Sequence, residues 1–314
     1  MKNLLKNRYG QVRSGWIILV VMAAFYGLSY LATELFISVV RQALIAKGEI
    51  NPATGYYGPV VDFWEMILLP IILQVLTDAV MIAVPVVVWR CIIKQSIGKM
   101  GMSSVKEGQK EGLMGMLIGF INCTLIFVIL ILFGQARVDS WKPAFTMLQA
   151  SWILVFVVVA FAEEMLNRGF FMAVLRRTRN IYVIMLVPSC IFGCIHLMNP
   201  GVTVFSILNI VLVGVLFSYI FVKSGNIWMC IGYHFTWNTF QGVIYGMPVS
   251  GLGVKGMITT TFTSDTVLNG GGFGIEGGIL TTLVTVLAFL FLKYYYRDSK
   301  YDFISDTKGG QTSV

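Results

Sequence analysis

The sequence predicts an all-α, polytopic integral membrane protein of about eight transmembrane helices, with both termini cytoplasmic. Three observations predict it. Of the 314 residues, 57% are hydrophobic and only 12% charged, about half the charged share of a soluble domain, and the mean hydropathy is +0.79. Apolar runs of roughly 20 residues, the length a helix needs to cross a hydrocarbon core, recur along the chain. Lysine and arginine gather in alternate connections between those runs, as they do where cytoplasmic loops hold the positive charge.

The first run, 15–39, follows a basic stretch from Met1 to Ser14. It is too long for a signal-peptide core and shows no small-residue cleavage site, so it reads as an uncleaved span. Runs at 64–90, 112–134 and 147–175 follow, then 181–198, 203–222, 226–246 and 277–295. The fourth is long enough to pass beyond the bilayer face, and the fifth short enough to be tilted or to reach only part-way. With the N-terminus inside, 17 lysines and arginines fall in inner segments and 5 in outer ones, with Arg168 left inside a span. Trp16, Trp64, Trp89, Trp141 and Trp228 lie near span ends, where an aromatic belt belongs.

Of the connections, Gln95 to Glu111 is polar and basic and reads as a cytoplasmic loop. Pro248 to Gly277 is rich in Gly, Ser and Thr and reads as a flexible external loop, with Glu276 in the first turn of the last helix, where the dipole favours an anion. The segment 301–314 reads as a disordered tail. The chain is thus expected to be one membrane domain, 1–314, in a multi-pass cell-membrane protein. The net charge of +8 is explained by the loop asymmetry, and no basic run interleaved with aromatics points to nucleic acid. Cys91, Cys123, Cys190, Cys194 and Cys230 show neither disulfide nor zinc-ribbon spacing and read as small buried apolar residues.

Within the span 147–175 stands Glu163-Glu164-Met165-Leu166-Asn167-Arg168. Each charge at the centre of a spanning helix costs roughly 2.5–3.5 kcal/mol on insertion scales, so such a cluster needs partners or a job. His196 and His234, the chain's only histidines, also lie in apolar runs. Residues four apart share a helix face, which places Glu164 over Arg168, Glu163 over Asn167, Phe192 over His196 and His234 over Asn238. Adjacent residues are turned by about 100°, so one glutamate can face a cavity while the other pairs with Arg168. Depth permits convergence. At about 1.5 Å per residue, Glu163 lies roughly 20 Å from Arg176, His196 roughly 22 Å from Ile181, and His234 and Asn238 roughly 12 and 18 Å from Asn226. These segments are expected to meet in a water-using site inside the membrane. Asp78, in the second span, reads as locally hydrogen-bonded, with a counter-charge to Arg168 as the other reading. Cys190 and Cys194 with His196 read as packing rather than a metal site.

Three short patterns, Glu163-Glu164 to Arg168, Phe192 to His196 and His234 to Asn238, follow one another in this order, each in an apolar span. At these residues the chain resembles the CPBP intramembrane proteases. That family includes the type II CAAX prenyl endopeptidases and the bacterial Abi proteins linked to bacteriocin processing and self-immunity. The run Gly214 to Asn238 and the stretch ending in Glu276-Gly277-Gly278 are similar to the family as well. The resemblance covers about 147–246, which are therefore expected to be the catalytic core helices, and hardly touches the first three spans.

The resemblance implies hydrolysis of a peptide bond of a membrane-associated peptide or protein in the bilayer, here expected to be a bacterial plasma membrane. A positioned carboxylate can deprotonate water, and Glu163 is the choice for it, with His196 sharing that activation. His234 and Asn238 suit the oxyanion, and Glu164 with Arg168 is the orienting pair. No cofactor is required in this reading. The alternative places a divalent metal such as zinc on Glu163, His196 and His234; the absence of a His-Glu-x-x-His helix ranks it second. Two other classes also fit an ionisable cluster: a proton-coupled transporter, for which no internal repeat is found, and a non-enzymatic bacteriocin immunity protein.

Overall fold

The computed structural model describes residues 4–6, 10, 12–58, 60–61, 68–141, 143, 145–308 and 311–312. Trp64, the start of the second expected span, and the loop cations Lys2, Arg8 and Lys142 lie outside them. The chain divides into two compact units, Met1–Lys94 and Gln95–Val314. Among the described residues six helices are long and apolar enough to cross a membrane, which makes this a multi-pass membrane protein. The last two expected spans are helical but shorter than the 18 residues that length requires.

In the first unit, α1 (Ser14–Ala46) is followed by a two-residue-per-strand hairpin, β1 (Ile50–Asn51) with β2 (Tyr56–Tyr57). α2 then runs Leu69–Ile92, its last five residues π-helical. Leu19, Val20, Leu28, Leu31 and Leu35 of α1 are exposed, as side chains facing hydrocarbon would be. Asp78 is fully buried, and its Oδ1 accepts from Nε2 of Gln74 one turn earlier at 3.1 Å, a local hydrogen bond whose partner is a side chain rather than the backbone or water expected.

The second unit opens with α3 (Val105–Leu132), which begins well before the expected run at 112. Ser104 and Glu107 form a capping box, Ser104 N donating to Glu107 Oε2 at 3.0 Å and Glu107 N to Ser104 Oγ at 3.4 Å. Capping both ends of that reciprocal pair extends the helix into residues whose polarity suggested a loop. β3 (Ala136–Ser140) follows and pairs antiparallel with β4 (Thr259–Phe262). α4 runs Met147–Thr178, started by a Thr146–Gln149 capping box. α5 (Ile181–Met198) is capped by Asn180 Oδ1, and α6 (Val204–Ser224) ends on Gly225 at φ 72°. α7 (Trp228–Asn238) continues as a π-turn, Thr239–Ile244, and α8 is Ile279–Tyr295.

α3 and α7 pack backbone to backbone. Gly115 and Gly119 of α3 face the carbonyls of Met229 and Tyr233, and Gly232 of α7 faces that of Gly112, with no room for a Cβ at Gly115, Gly119 or Gly232. Small residues four apart make this close approach possible. Asn122 Nδ2 donates to Tyr233 Oη at 2.9 Å across the same seam.

Three expectations need correction. The connection 248–277, read as a flexible loop, contains β4 and folds back with Val249, Val254, Phe273 and Ile275 buried. The segment expected to be a disordered tail forms strands at Tyr301–Asp302, Thr307–Lys308 and Gln311–Thr312. Phe303 is buried there against Phe221 and under the Arg176 guanidinium, which also pairs with Asp306 at 2.9 Å. Its apolar ring and acid meet the helix end that the basic residues of 176–179 supply. Among the cysteines only Cys123 and Cys230 are buried; Cys91, Cys190 and Cys194 are exposed.

Candidate active site

α4 carries the two glutamates at the point where it changes hand-hold. It is α-helical to Glu164, π-helical over Met165–Phe171 and α-helical again over Met172–Leu175. Such single wide turns inside a helix recur at functional sites. All seven residues of the wide turn are buried, Arg168 among them. Its Nη1 pairs with Glu164 Oε1 at 3.1 Å, with both side chains 1% exposed or less. Nη2 donates to the carbonyl of Gly214 in α6 at 3.4 Å. The guanidinium also lies over the rings of Phe192 (4.6 Å) and Phe217 (5.1 Å), a desolvated cation–π sandwich.

His234 of α7 joins this group. Its Nδ1 lies 3.0 Å from Glu164 Oε1, and its Nε2 lies 3.7 Å from Glu163 Oε2. A carboxylate only accepts, so the short contact puts a proton on Nδ1. Glu163 differs from Glu164 as the helical turn predicts: its carboxyl keeps 15% exposure against 0%. Asn167, which shares its face, donates from Nδ2 to the Glu163 backbone carbonyl at 2.9 Å rather than to the carboxyl.

His196 sits where α5 tightens into a 3-10 turn. Its Nδ1 is 2.8 Å from the carbonyl of Phe192. A carbonyl also only accepts, so Nδ1 carries the proton and Nε2 is the acceptor. The Phe192 ring stands edge-on to the imidazole at 5.0 Å and also meets that of His234 at 6.3 Å. One phenylalanine thus spaces both histidines.

Between the helices and the 248–277 fold-back lies an open cavity of about 60 Å3 measured at the centres of water molecules, room for a handful at roughly 10–15 Å3 each. His196, His234 and Asn238 line it, together with Phe192, Phe217 and Trp237. Neither Glu163 nor Glu164 is part of that wall; their link to it is His234. The expected residues therefore gather as one site, with one difference. The imidazole that faces Glu163 belongs to His234, a contact not anticipated beside the water that Glu163 was expected to share with His196.

Residues not anticipated complete the wall: Asn209 of α6, and Ser250 and Glu276 from the fold-back of 248–277. Glu276 does not cap α8. Its carboxyl turns into the protein, accepting from Gln241 Nε2 at 2.5 Å and from Ser250 N at 3.2 Å, and burial pushes it up to about 7. The available signal was an acid inside a glycine run, too short to assign a partner.

Among the described residues no three His, Cys, Asp or Glu side chains come together as a ligand set. His234 Nδ1 and His196 Nδ1 each engage an acceptor, the outer-shell pattern of a histidine whose Nε2 faces its ligand.

The family model described as type II CAAX prenyl endopeptidase, Rce1-like, matches residues 145–240. That stretch is under a third of the chain and holds all three motifs. It bears out the resemblance to the CPBP family and supports a CAAX-type intramembrane protease. No curated protein and no solved structure matches the chain.

Proposed function

We propose, from the premise that residues 145–240 are Rce1-like, that the protein is an intramembrane endopeptidase using carboxylate- and imidazole-activated water. The observation that carries this reading is the chain of contacts Arg168–Glu164–His234–Glu163, in which His234 lines a cavity large enough for water. Buried charge of this kind is costly unless paired, and here the pairing leaves one carboxyl, Glu163, partly open.

In this mechanism a water held between the cavity and the Glu163 carboxyl donates one hydrogen bond to His196 Nε2 and loses its other proton to Glu163. The oxygen adds to the scissile carbonyl carbon. Asn238 Nδ2 donates to the oxyanion, and His234 Nε2 does so once Glu163 has passed it the proton. Collapse breaks the C–N bond, and that proton leaves on the amine. Arg168 and Glu164 hold His234 in orientation. The 3.7 Å gap between His234 and Glu163 would close when substrate binds, as catalytic hydrogen bonds commonly do. No step runs through a metal.

The substrate class is a short peptide or a membrane-tethered protein tail. Eight spans with both termini cytoplasmic, the arrangement the loop charges support, set the motif helices in a bacterial plasma membrane. The test is cleavage of a fluorogenic peptide library by purified protein. Glu163→Gln is expected to lower kcat/KM by roughly 100- to 10,000-fold, the range of general-base catalysis, and His196→Ala to lower it as well. Wild-type cleavage no greater than theirs on every peptide would sink the reading. Activity surviving exhaustive chelation is the outcome expected of the metal-free mechanism.

A further inference from the structure

The mechanism above leaves one titratable group of the cavity unused. Glu276 lines the cavity with His196, His234 and Asn238 and is 8% exposed. It is held from both ends. Asn209 Nδ2 donates to its backbone carbonyl at 2.8 Å and to that of Gly278 at 2.9 Å, while Asn209 Oδ1 accepts from Thr282 Oγ1 at 2.6 Å. At the carboxyl, Oε1 accepts from Ser250 N (3.2 Å) and Ser250 Oγ (3.3 Å), and Oε2 from Gln241 Nε2 (2.5 Å).

A carboxylate offers about four acceptor positions. Three are taken, two on Oε1 and one on Oε2. The remaining position on Oε2 belongs to a rigidly held oxygen on a cavity wall whose other members include the apolar Ile210, Val213 and Phe217. Packing alone does not call for an acid here, because burying a carboxyl costs free energy that an amide or an apolar side chain would not. The backbone beneath it is equally specified. Gly274 presses on the carbonyl of Pro248, and Gly270 on that of Gly274, with no space for a Cβ at either. The fold-back of 248–277 thus delivers this carboxyl to the cavity with little freedom.

We propose that Glu276 is a specificity-determining residue, accepting a hydrogen bond from a main-chain N–H of the bound peptide within one or two residues of the scissile bond. The short reach follows from the size of the cavity, about 60 Å3 at water centres, against roughly 3.3 Å of extended chain per residue. A peptide presents such a donor at every residue but proline. The inference rests on the peptide-cleaving reading.

The experiment uses the full-length protein in nanodiscs and the best fluorogenic peptide of the library, N-methylated at one amide at a time. In the wild type, one N-methyl position near the cleaved bond is expected to lower kcat/KM by roughly 10- to 100-fold, mainly through KM, the scale of a hydrogen bond to a charged group. In Glu276→Ala that penalty is expected to shrink to under about threefold on the same scale. Glu276→Gln, which keeps the side chain's volume and one acceptor oxygen, serves if the alanine variant fails to fold and is expected to show an intermediate penalty. N-methyl penalties equal in wild type and variant would overturn the proposal and leave the protease reading standing, since a purely structural carboxyl lowers all rates alike. If no peptide is cleaved, fluorescence polarisation of the labelled peptides decides. Binding with an N-methyl penalty that Glu276→Ala abolishes keeps the carboxyl's role and removes the hydrolysis. No binding and no cleavage remove both.

Discussion

Arg168 heads the fully buried side chains of the described residues by size, and its charge is answered by Glu164, the Gly214 carbonyl and two aromatic faces. Removing one partner of a buried pair leaves the other uncompensated, at about 3–5 kcal/mol. Arg168→Met is therefore expected to lower the apparent melting temperature in detergent sharply. Adding Glu164→Gln should recover most of the loss but not the activity, because His234 loses its anchor. A double variant as unstable as the single one would contradict that account. Glu276 makes a pH prediction of the opposite kind. Burial raises its carboxyl from 4.5 to about 7, so the folded state holds the proton more tightly than the unfolded chain. Its stabilising contribution is complete below pH 4.5 and is lost as pH rises through about 7, by an amount on the order of 3 kcal/mol. Thermal stability measured between those limits should fall with pH in the wild type and flatten in Glu276→Gln.

At the scale of elements, the position of His234 is decided by a seam rather than by its own helix. α7 lies on α3 because Gly115, Gly119 and Gly232 let the two backbones touch. A methyl group at Gly115 meets the Met229 carbonyl, whereas one at Gly112 reaches only ordinary contact distance, 3.7 Å from the Trp228 carbonyl. Gly115→Ala is thus expected to destabilise by about 1–3 kcal/mol, the scale of overpacking, and to lower cleavage by displacing His234. Gly112→Ala should be near neutral. Equal melting temperatures for the two variants would show that the seam can relax. The wide turn at Met165–Phe171 acts in the same direction on α4. It keeps Glu164 and Arg168 paired on one face while Glu163 stays partly open, an arrangement that the four-residue spacing already implied.

For the whole molecule, the loop charges predict cytoplasmic ends on both sides of the chain. Fluorescent and phosphatase reporters fused in turn to each terminus should report cytoplasm for both, and a split result would require an odd number of spans. The Arg176–Asp306 pair and the buried Phe303 fit this picture, since they tie the last described segment to the basic end of α4.

Motif pairing within a helix was legible beforehand: Glu164 with Arg168, Phe192 with His196, and His234 and Asn238 on one wall all follow from helical periodicity, which is local. Membrane embedding was legible too, because it depends on composition summed over about 20 residues. The contact of His234 with Glu163 was not, since it depends on how closely α3 and α7 approach. Nor was the inward turn of Glu276, whose partners Gln241, Ser250 and Asn209 lie 26 to 67 positions away. By itself the sequence determined that this is a membrane protein with an acid–imidazole–amide set in its spans. Only the tertiary structure decided which of those groups touch, because contacts between helices are set by packing, and packing has no signature in the spacing of a single chain segment.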